Sequence, residues 1–268
     1  MIRIRKNIRL IIIICLVLCS AFCLILTIYE TIMLYNEELE RKQMAIELES
    51  SFINNEAGEQ NENILLQSEE NHKIKENHKI LPQYLSLYQQ NNDMYGWINI
   101  DDTPINYPVM HTVYEPEKYL RKNFNGEYSL SGQIFLDYRC TSNSNNLILY
   151  GHNMKNQTMF GSILNYQNKE YYEKHPIVEF NNLYEENKYQ IISVFYDEIH
   201  KQEDQCFKYY NFINAETEEE LYDFIREIKK KSLYDAGSIS EDEDCFLTIS
   251  TCEYSKENGR FVVVAQKM

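Results

Sequence analysis

Residues 10–29 form an unbroken apolar run of twenty residues in which Ser20 and Thr27 are the only clearly polar side chains. Coiled as a helix at ~1.5 Å per residue, such a run covers the ~30 Å hydrocarbon layer of a bilayer. Arg3, Arg5, Lys6 and Arg9 precede it, whereas Glu30, Glu37, Glu38 and Glu40 follow it. The bias of cations to the cytoplasmic side therefore predicts a single-pass, type II anchor, with residues 1–9 inside and the remaining 239 residues outside. A cleaved signal peptide fits less well, because its apolar region spans ~7–15 residues and ends on a small-x-small site. Lipidation at Cys19 or Cys23 would need a small residue just before the thiol, where Leu18 and Phe22 stand.

The chain of 268 residues has a formal net charge of −15, and of −19 without the four cations that precede the run. Such a surplus excludes nucleic acid or anionic lipid as a broad electrostatic partner of the exterior part. Of the seven cysteines, Cys15, Cys19 and Cys23 share one face of the spanning helix, as small residues packed against a neighbouring helix would. Outside stand Cys140, Cys206, Cys245 and Cys252, with no C-x-x-C pair and no histidine at metal-ligand spacing. Two disulfides or a working thiol both remain open on spacing alone.

Residues 30–80 are rich in Glu, Asn, Gln and Lys and repeat Glu-Asn-His-Lys-Ile at 70–74 and 76–80, which reads as a helical or partly disordered stalk. His72 and His78 within it are expected to be solvated. From Leu81 onward the texture changes. Pro82 opens a helical segment with Tyr84, Leu87 and Tyr88, and short β-type runs follow at 95–100, 105–110, 133–137, 146–150, 189–196, 245–252 and 260–266. Many short strands with few helices predict a barrel or a sandwich over residues 81–268. One helix is well marked: Thr217 and Glu220 form a capping box ahead of Leu221, Phe224, Ile225 and Ile228, and Lys229 to Lys231 suit the negative end of the dipole. A second helix is expected through 159–164. The acidic run 241–244 reads as a solvated loop ahead of a strand rather than a calcium site.

Strand 245–252 ends on Cys252, and after a loop closed by Asn258-Gly259 the next strand opens on Arg260. Paired as an antiparallel hairpin, the two residues would face each other at the mouth of the loop. A cation beside a thiol favours the reactive thiolate and can hold an oxyanion, although an inert Cys beside a surface Arg is equally compatible with the spacing. A nucleophilic thiol also needs a proton carrier. His111, His175 and His200 sit in other loops, whereas His152 follows the apolar strand 146–150 after the single residue Gly151, on a short and restrained turn.

With these residues assembled, the chain resembles the sortase family. Thr248-Ile249-Ser250-Thr251-Cys252 is similar to the signature T-L-x-T-C, and Tyr150-Gly151-His152-Asn153-Met154 resembles the Y-G-H-x-M segment of class B. Arg260 at the head of RFVVVA matches the family arginine, and GQIFLDYR at 132–139, MYGWINI at 94–100 and INYPVM at 105–110 agree further. The resemblance spans roughly residues 81–268 with the motifs in the family's order. It departs from the family at Ile249, at Cys140, where a polar residue is usual, and in the short loop between Cys252 and Arg260.

The resemblance implies a mostly β fold: a closed eight-stranded barrel with an N-terminal helix and a helix between the sixth and seventh strands. It implies a cysteine transpeptidase on a Gram-positive surface, working without metal or organic cofactor. Cys252 would attack the carbonyl of Thr in a C-terminal sorting motif of an exported protein, His152 would move protons, and Arg260 would hold the oxyanion. An amine of the peptidoglycan precursor would then accept the protein. Asn106, Met110, Tyr150, Ser250, Thr251 and Glu253 would bind substrate. The alternatives are a catalytically silent anchored ectodomain that binds a peptide or wall component, and a pilus-type sortase that joins protein subunits.

Overall fold

The computed structural model describes residues 2–56, 79–240 and 242–268. His72, His78 and all but the last two residues of the duplicated segment lie outside them. The chain divides into two compact units, one ending at Lys42 and the other spanning Gln43–Met268. Helix α1, Ile2–Glu56, runs through the first unit and into the second. It contains a stretch of mean hydropathy 2.8, none of it buried, that is long and apolar enough to cross a membrane. The continuous helix covers much of the segment read as a stalk.

In the second unit one stretch of α1 packs at that unit's core: Leu48 is buried and Met44 lies against the cluster of Tyr84, Leu87, Trp97 and Phe135. Glu47 accepts from Ser86 Oγ at 2.5 Å and Gln90 Nε2 at 2.9 Å, tying the turn to α2, Pro82–Gln90. Proline at the first helical position starts α2 at no cost in hydrogen bonds, because that N–H would be unpaired in any helix.

Eight strands follow: β1 Met94–Asn99, β2 Asn106–Met110, β3 Ile134–Leu136, β4 Asn146–Tyr150, β5 Ile177–Asn182, β6 Lys188–Glu198, β7 Phe246–Cys252 and β8 Gly259–Lys267. They close into a barrel in the order β1-β2-β3-β4-β7-β8-β6-β5, with β5 returning to β1. Seven match the expected runs to within two residues at each end. β5 escapes the sequence reading because only Val178 and Phe180 face inward and the flanking His175-Pro176 and Asn181-Asn182 look like turn. Pairs β2–β3 and β4–β7 are parallel and all others antiparallel. Parallel neighbours require a long crossover, and everything from Gly151 to Cys245 serves as that crossover for β4 and β7.

Period-two alternation divides β7 and β8 between two cores. Leu247, Ile249, Phe261, Val263 and Ala265 fill the barrel interior. Phe246, Val262 and Val264 point outward onto Phe224 and Ile228 of α4, Glu218–Lys231, so the β6–β7 connection covers the outer face. The Thr217 hydroxyl caps α4 by accepting from Glu220 N at 3.3 Å, while the Glu220 carboxylate reaches Glu216 N at 2.8 Å, one residue beyond the expected reciprocal partner. The helix expected through 159–164 is instead a 3-10 helix at Gly161–Gln167. Met159, at φ +52°, is left-handed and cannot belong to a right-handed helix. A six-residue helix, α3, Lys169–Lys174, follows.

Candidate active site

Cys252 and Arg260 are direct partners in the antiparallel β7–β8 register. On the other side of β8, Asp197 of β6 pairs with Arg260, so the thiol, the guanidinium and a carboxylate stand in one cross-strand row. Partners directly opposite in a sheet project to the same side, here the outer face, as with Phe246 and Val262. The Arg260 guanidinium donates to Gly259 O at 2.9 Å. Glycine is required at 259 because a Cβ there would stand 2.5 Å from Glu253 O, which accepts nothing bulkier in this tight loop.

His152 arrives on a different strand. β4 and β7 run parallel with Tyr150 beside Ser250, so the turn that carries His152 continues beside the end of β7 that carries Cys252. Three bonds hold the two chains together past the end of the ladder. Gly151 N donates to Ser250 O at 3.4 Å, Thr251 Oγ1 to Gly151 O at 2.7 Å, and Asn153 Nδ2 to the carbonyl of Cys252 itself at 2.9 Å. Gly151 lies so close to Phe160 that a Cβ would meet its ring at 2.6 Å.

His152 Nε2 lies 2.8 Å from Leu120 O. A carbonyl only accepts, so Nε2 carries the proton and Nδ1 is the nitrogen left for proton exchange. Burial lowers the pKa of the ring below the ordinary histidine value and nearby Arg121 adds to this, while the Leu120 carbonyl opposes it. The other described histidines are not on this turn, and of them His200 lies at the β6 end of the Cys252–Arg260–Asp197 row. His111 packs edge-on against Tyr95, His175 bonds Asp101 O, and His200 sits 3.3 Å from Asp197.

The residues read as substrate contacts separate into two groups. Tyr150 and Ser250 share the outer face of β4–β7 immediately behind Cys252, and Ser250 Oγ bonds Tyr209 Oη at 2.7 Å. Tyr150 bonds Asp137 in turn, and the other four are likewise engaged in packing or hydrogen bonds. Thr251 faces the interior and secures Gly151 O. Glu253 binds Ser255 within the β7–β8 loop. Asn106 accepts from Trp97 Nε1 at 2.5 Å, and Met110 is wholly buried in the core beside α2. Their positions in β2 show why: a five-residue strand closing a barrel has few side chains free of packing.

Sequence reasoning missed Asn153, Leu120 O, Tyr209, Asp137 and Arg139 around this site. Asn153 was inside the quoted Y-G-H-x-M segment, at its unspecified position. The Leu120 carbonyl carries no sequence signal, because any residue supplies one. All seven cysteines are unpaired, and Cys140 is buried with its thiol pushed up to about 11. In the acidic run, Glu241 lies outside the described residues. Glu243 accepts from Cys245 N and Asp244 from Asn145, so their carboxylates already serve the start of β7.

Comparison with known proteins gives a consistent result. A family model described as the sortase domain matches residues 98–268. The chain is 34% identical over 193 residues to sortase B of Staphylococcus aureus, covering 70% of this chain and 75% of that protein. It is 30% identical over 193 residues to sortase B of Listeria monocytogenes, covering 70% and 74%. Among solved structures, a Staphylococcus aureus sortase B–substrate complex superposes with a TM-score of 0.70 at 26% identity, covering 88% of this chain and 98% of that one.

Proposed function

Because the chain belongs to the sortase family, in class B, and is thereby a cysteine transpeptidase, we propose that Cys252, His152 and Arg260 are its catalytic residues and that it joins exported proteins to the peptidoglycan precursor. The observation that carries this reading is the joint placement of Cys252 opposite Arg260 and, through the Asn153 bond to its carbonyl, beside the His152 turn.

In the first half-reaction the Cys252 thiol passes its proton to His152 Nδ1 as Sγ bonds the carbonyl carbon of Thr in the sorting motif, and the Thr–amide C–N bond breaks as His152 hands that proton to the leaving amine. Charge develops on the carbonyl oxygen, where the Arg260 guanidinium stabilises it in place of water. In the second, the nitrogen of an incoming amine bonds the thioester carbon, its proton passes to His152 Nδ1, and the C–S bond breaks as the leaving sulfur takes that proton back to restore the thiol. Neither half needs a redox partner. The substrate complex of the Staphylococcus aureus relative supports a peptide as first substrate.

The N-terminal apolar helix supports an anchor that holds this site on the outer face of the membrane, where both substrates pass. The test uses the full chain in detergent, a panel of fluorogenic sorting peptides and a Cys252→Ala control. Cleavage after Thr, a Cys252 thioacyl adduct by mass spectrometry, and product transfer to an added amine are expected. No cleavage of any peptide, together with no selective alkylation of Cys252, would overturn the reading.

A further inference from the structure

The end of the barrel opposite Cys252 carries two adjoining cavities. β7 begins there at Phe246, and Tyr189 near the start of β6 pairs with Lys267 at the close of β8, whereas Cys252, Arg260 and Asp197 form a row at the other end of the same strands. The larger cavity, about 240 Å³, is lined by Tyr88, Tyr95 and Tyr184 together with Asn92, Asn182 and Ser142. The smaller, about 50 Å³, shares Tyr95, Asn182 and Ser142 with it and is further lined by Leu147, Phe180, Phe246 and Tyr189.

The lining favours a neutral ligand. Asp93, in the wall of the larger cavity, is already paired with Lys118 Nζ at 2.6 Å. Burial holds His111, also in that wall, below the ordinary histidine value against the pull of the Tyr138 and Asp137 carbonyls, so the ring carries no charge at neutral pH. The smaller cavity has one charge of each sign, Glu185 and Lys267. Hydrogen-bonding groups, by contrast, stand free. Asn182 Oδ1 accepts from the amides of Tyr184 and Glu185 at 2.7 and 2.8 Å, and no described residue bonds its Nδ2. The hydroxyls of Tyr95 and Tyr189 also have no partner among the described residues, although Tyr189 is only 3% exposed. A buried phenol ordinarily finds a partner, and here both phenols line the cavities.

Aromatic faces beside free amide and hydroxyl donors suit a ring with C–H bonds on its faces and oxygens at its edge, because the electron-rich face of tyrosine attracts the C–H side. An extended peptide would instead pair its main chain with a strand edge, and a closed barrel offers none. We infer that this end of the barrel is a binding site for a neutral, N-acetylated sugar. The larger cavity, below the ~300 Å³ at which sites for drug-sized ligands begin, takes a single pyranose ring against the tyrosines. The smaller exceeds the ~30 Å³ share of one water and takes the acetamido group, whose methyl meets Leu147 and Phe180 and whose carbonyl accepts from a tyrosine hydroxyl. Binding is non-covalent and leaves the Cys252 end open, so this site does not depend on the chemistry proposed there.

The test titrates the full chain, in a detergent without a sugar headgroup, with chitotriose, the trimer of N-acetylglucosamine, and with maltotriose, which lacks acetamido groups. Ligand-detected NMR should show saturable chitotriose binding with a Kd of about 1 mM, the range open to one small ring, and at least fivefold weaker maltotriose binding. Two variants probe the site: Tyr184→Ala, which removes a 44% exposed ring, and Tyr95→Phe, which removes a hydroxyl and keeps the ring. Each should weaken chitotriose about fivefold, the order of one ring face or one hydrogen bond, with peptide cleavage and melting temperature unchanged. No saturation by about 20 mM chitotriose, equal binding of maltotriose, or unaltered affinity in both variants would overturn the inference. So would a loss of binding that only follows the melting temperature, or a fall in sorting-peptide affinity in these variants while chitotriose is unaffected, which would make the cavities a peptide site. The titration is scored whether or not the chain cleaves a peptide, so its failure is separate from failure of the catalytic reading.

Discussion

The carboxamide of Asn153 donates to the main-chain carbonyl of Cys252 at 2.9 Å, so the residue after the candidate proton carrier is bonded to the candidate nucleophile. The two groups come from strands separated by the whole β4–β7 crossover. Strand pairing ends at Tyr150 and Ser250; beyond it, relative position depends on this bond, on the Gly151 amide at Ser250 O and on the Thr251 hydroxyl at Gly151 O. Catalytic groups need placement within fractions of an ångström, and here side chains extend the ladder to supply it.

Asn153→Ala should therefore lower kcat about tenfold, equivalent to ~1.4 kcal/mol of lost transition-state stabilisation, while peptide KM changes by less than about twofold. Steady-state kinetics on the fluorogenic peptide separates the two. A rise in KM with kcat intact would instead assign Asn153 to peptide binding.

The His152 ring should titrate below the ordinary histidine value of about 6.5, because burial and Arg121 disfavour the imidazolium. Arg121→Gln should move its midpoint upward, read by NMR of the ring carbon. The same depression makes stability pH-dependent. Between the ordinary value and the lower folded value the unfolded chain binds more protons, so this residue's contribution is complete above about 6.5 and declines as pH falls through that window. A midpoint at or above 6.5 in the folded chain would contradict this placement of the ring.

The legibility of this fold in sequence follows the range of the interactions. The hairpin pair Cys252–Arg260 was readable because alternation and the Asn258-Gly259 turn fix its register locally. The His152 turn was readable because Gly151 isolates it from a strongly apolar strand. The packing of Asn106 and Met110 was not, since it is decided by Trp97 and the core beside α2. The same holds for Arg139, whose partners at 137, 150 and 210 meet only once the barrel has closed.

Thr217→Ala removes the hydroxyl that caps α4 and should cost about 1 kcal/mol, or a fall of roughly 2–4 °C in melting temperature for a domain of this size. The acidic first turn, Glu218 to Glu220, still complements the dipole, so the helix should persist and its far-ultraviolet circular dichroism remain unchanged at low temperature. A larger loss, with exposure of the Phe224 cluster to a hydrophobic dye, would mean that the cap anchors the whole connection.

Gly151→Ala probes the turn that delivers His152. A methyl group at 151 would stand 2.6 Å from Cδ2 and 2.9 Å from Cγ of Phe160. Phe160 is wholly buried, and its amide donates to the His152 carbonyl at 3.0 Å. The ring cannot retreat without disturbing the interior, so the turn must shift instead. Overpacking of this kind costs about 1–3 kcal/mol, and an ångström-scale displacement of a catalytic group about 100-fold in rate. The expected result is a modest fall in melting temperature with a much larger fall in kcat, while iodoacetamide still alkylates Cys252. If kcat fell no further than a tenfold loss and the melting temperature did not change, the backbone of this turn would be free to relax, and its close approach to Phe160 would not be what positions the histidine.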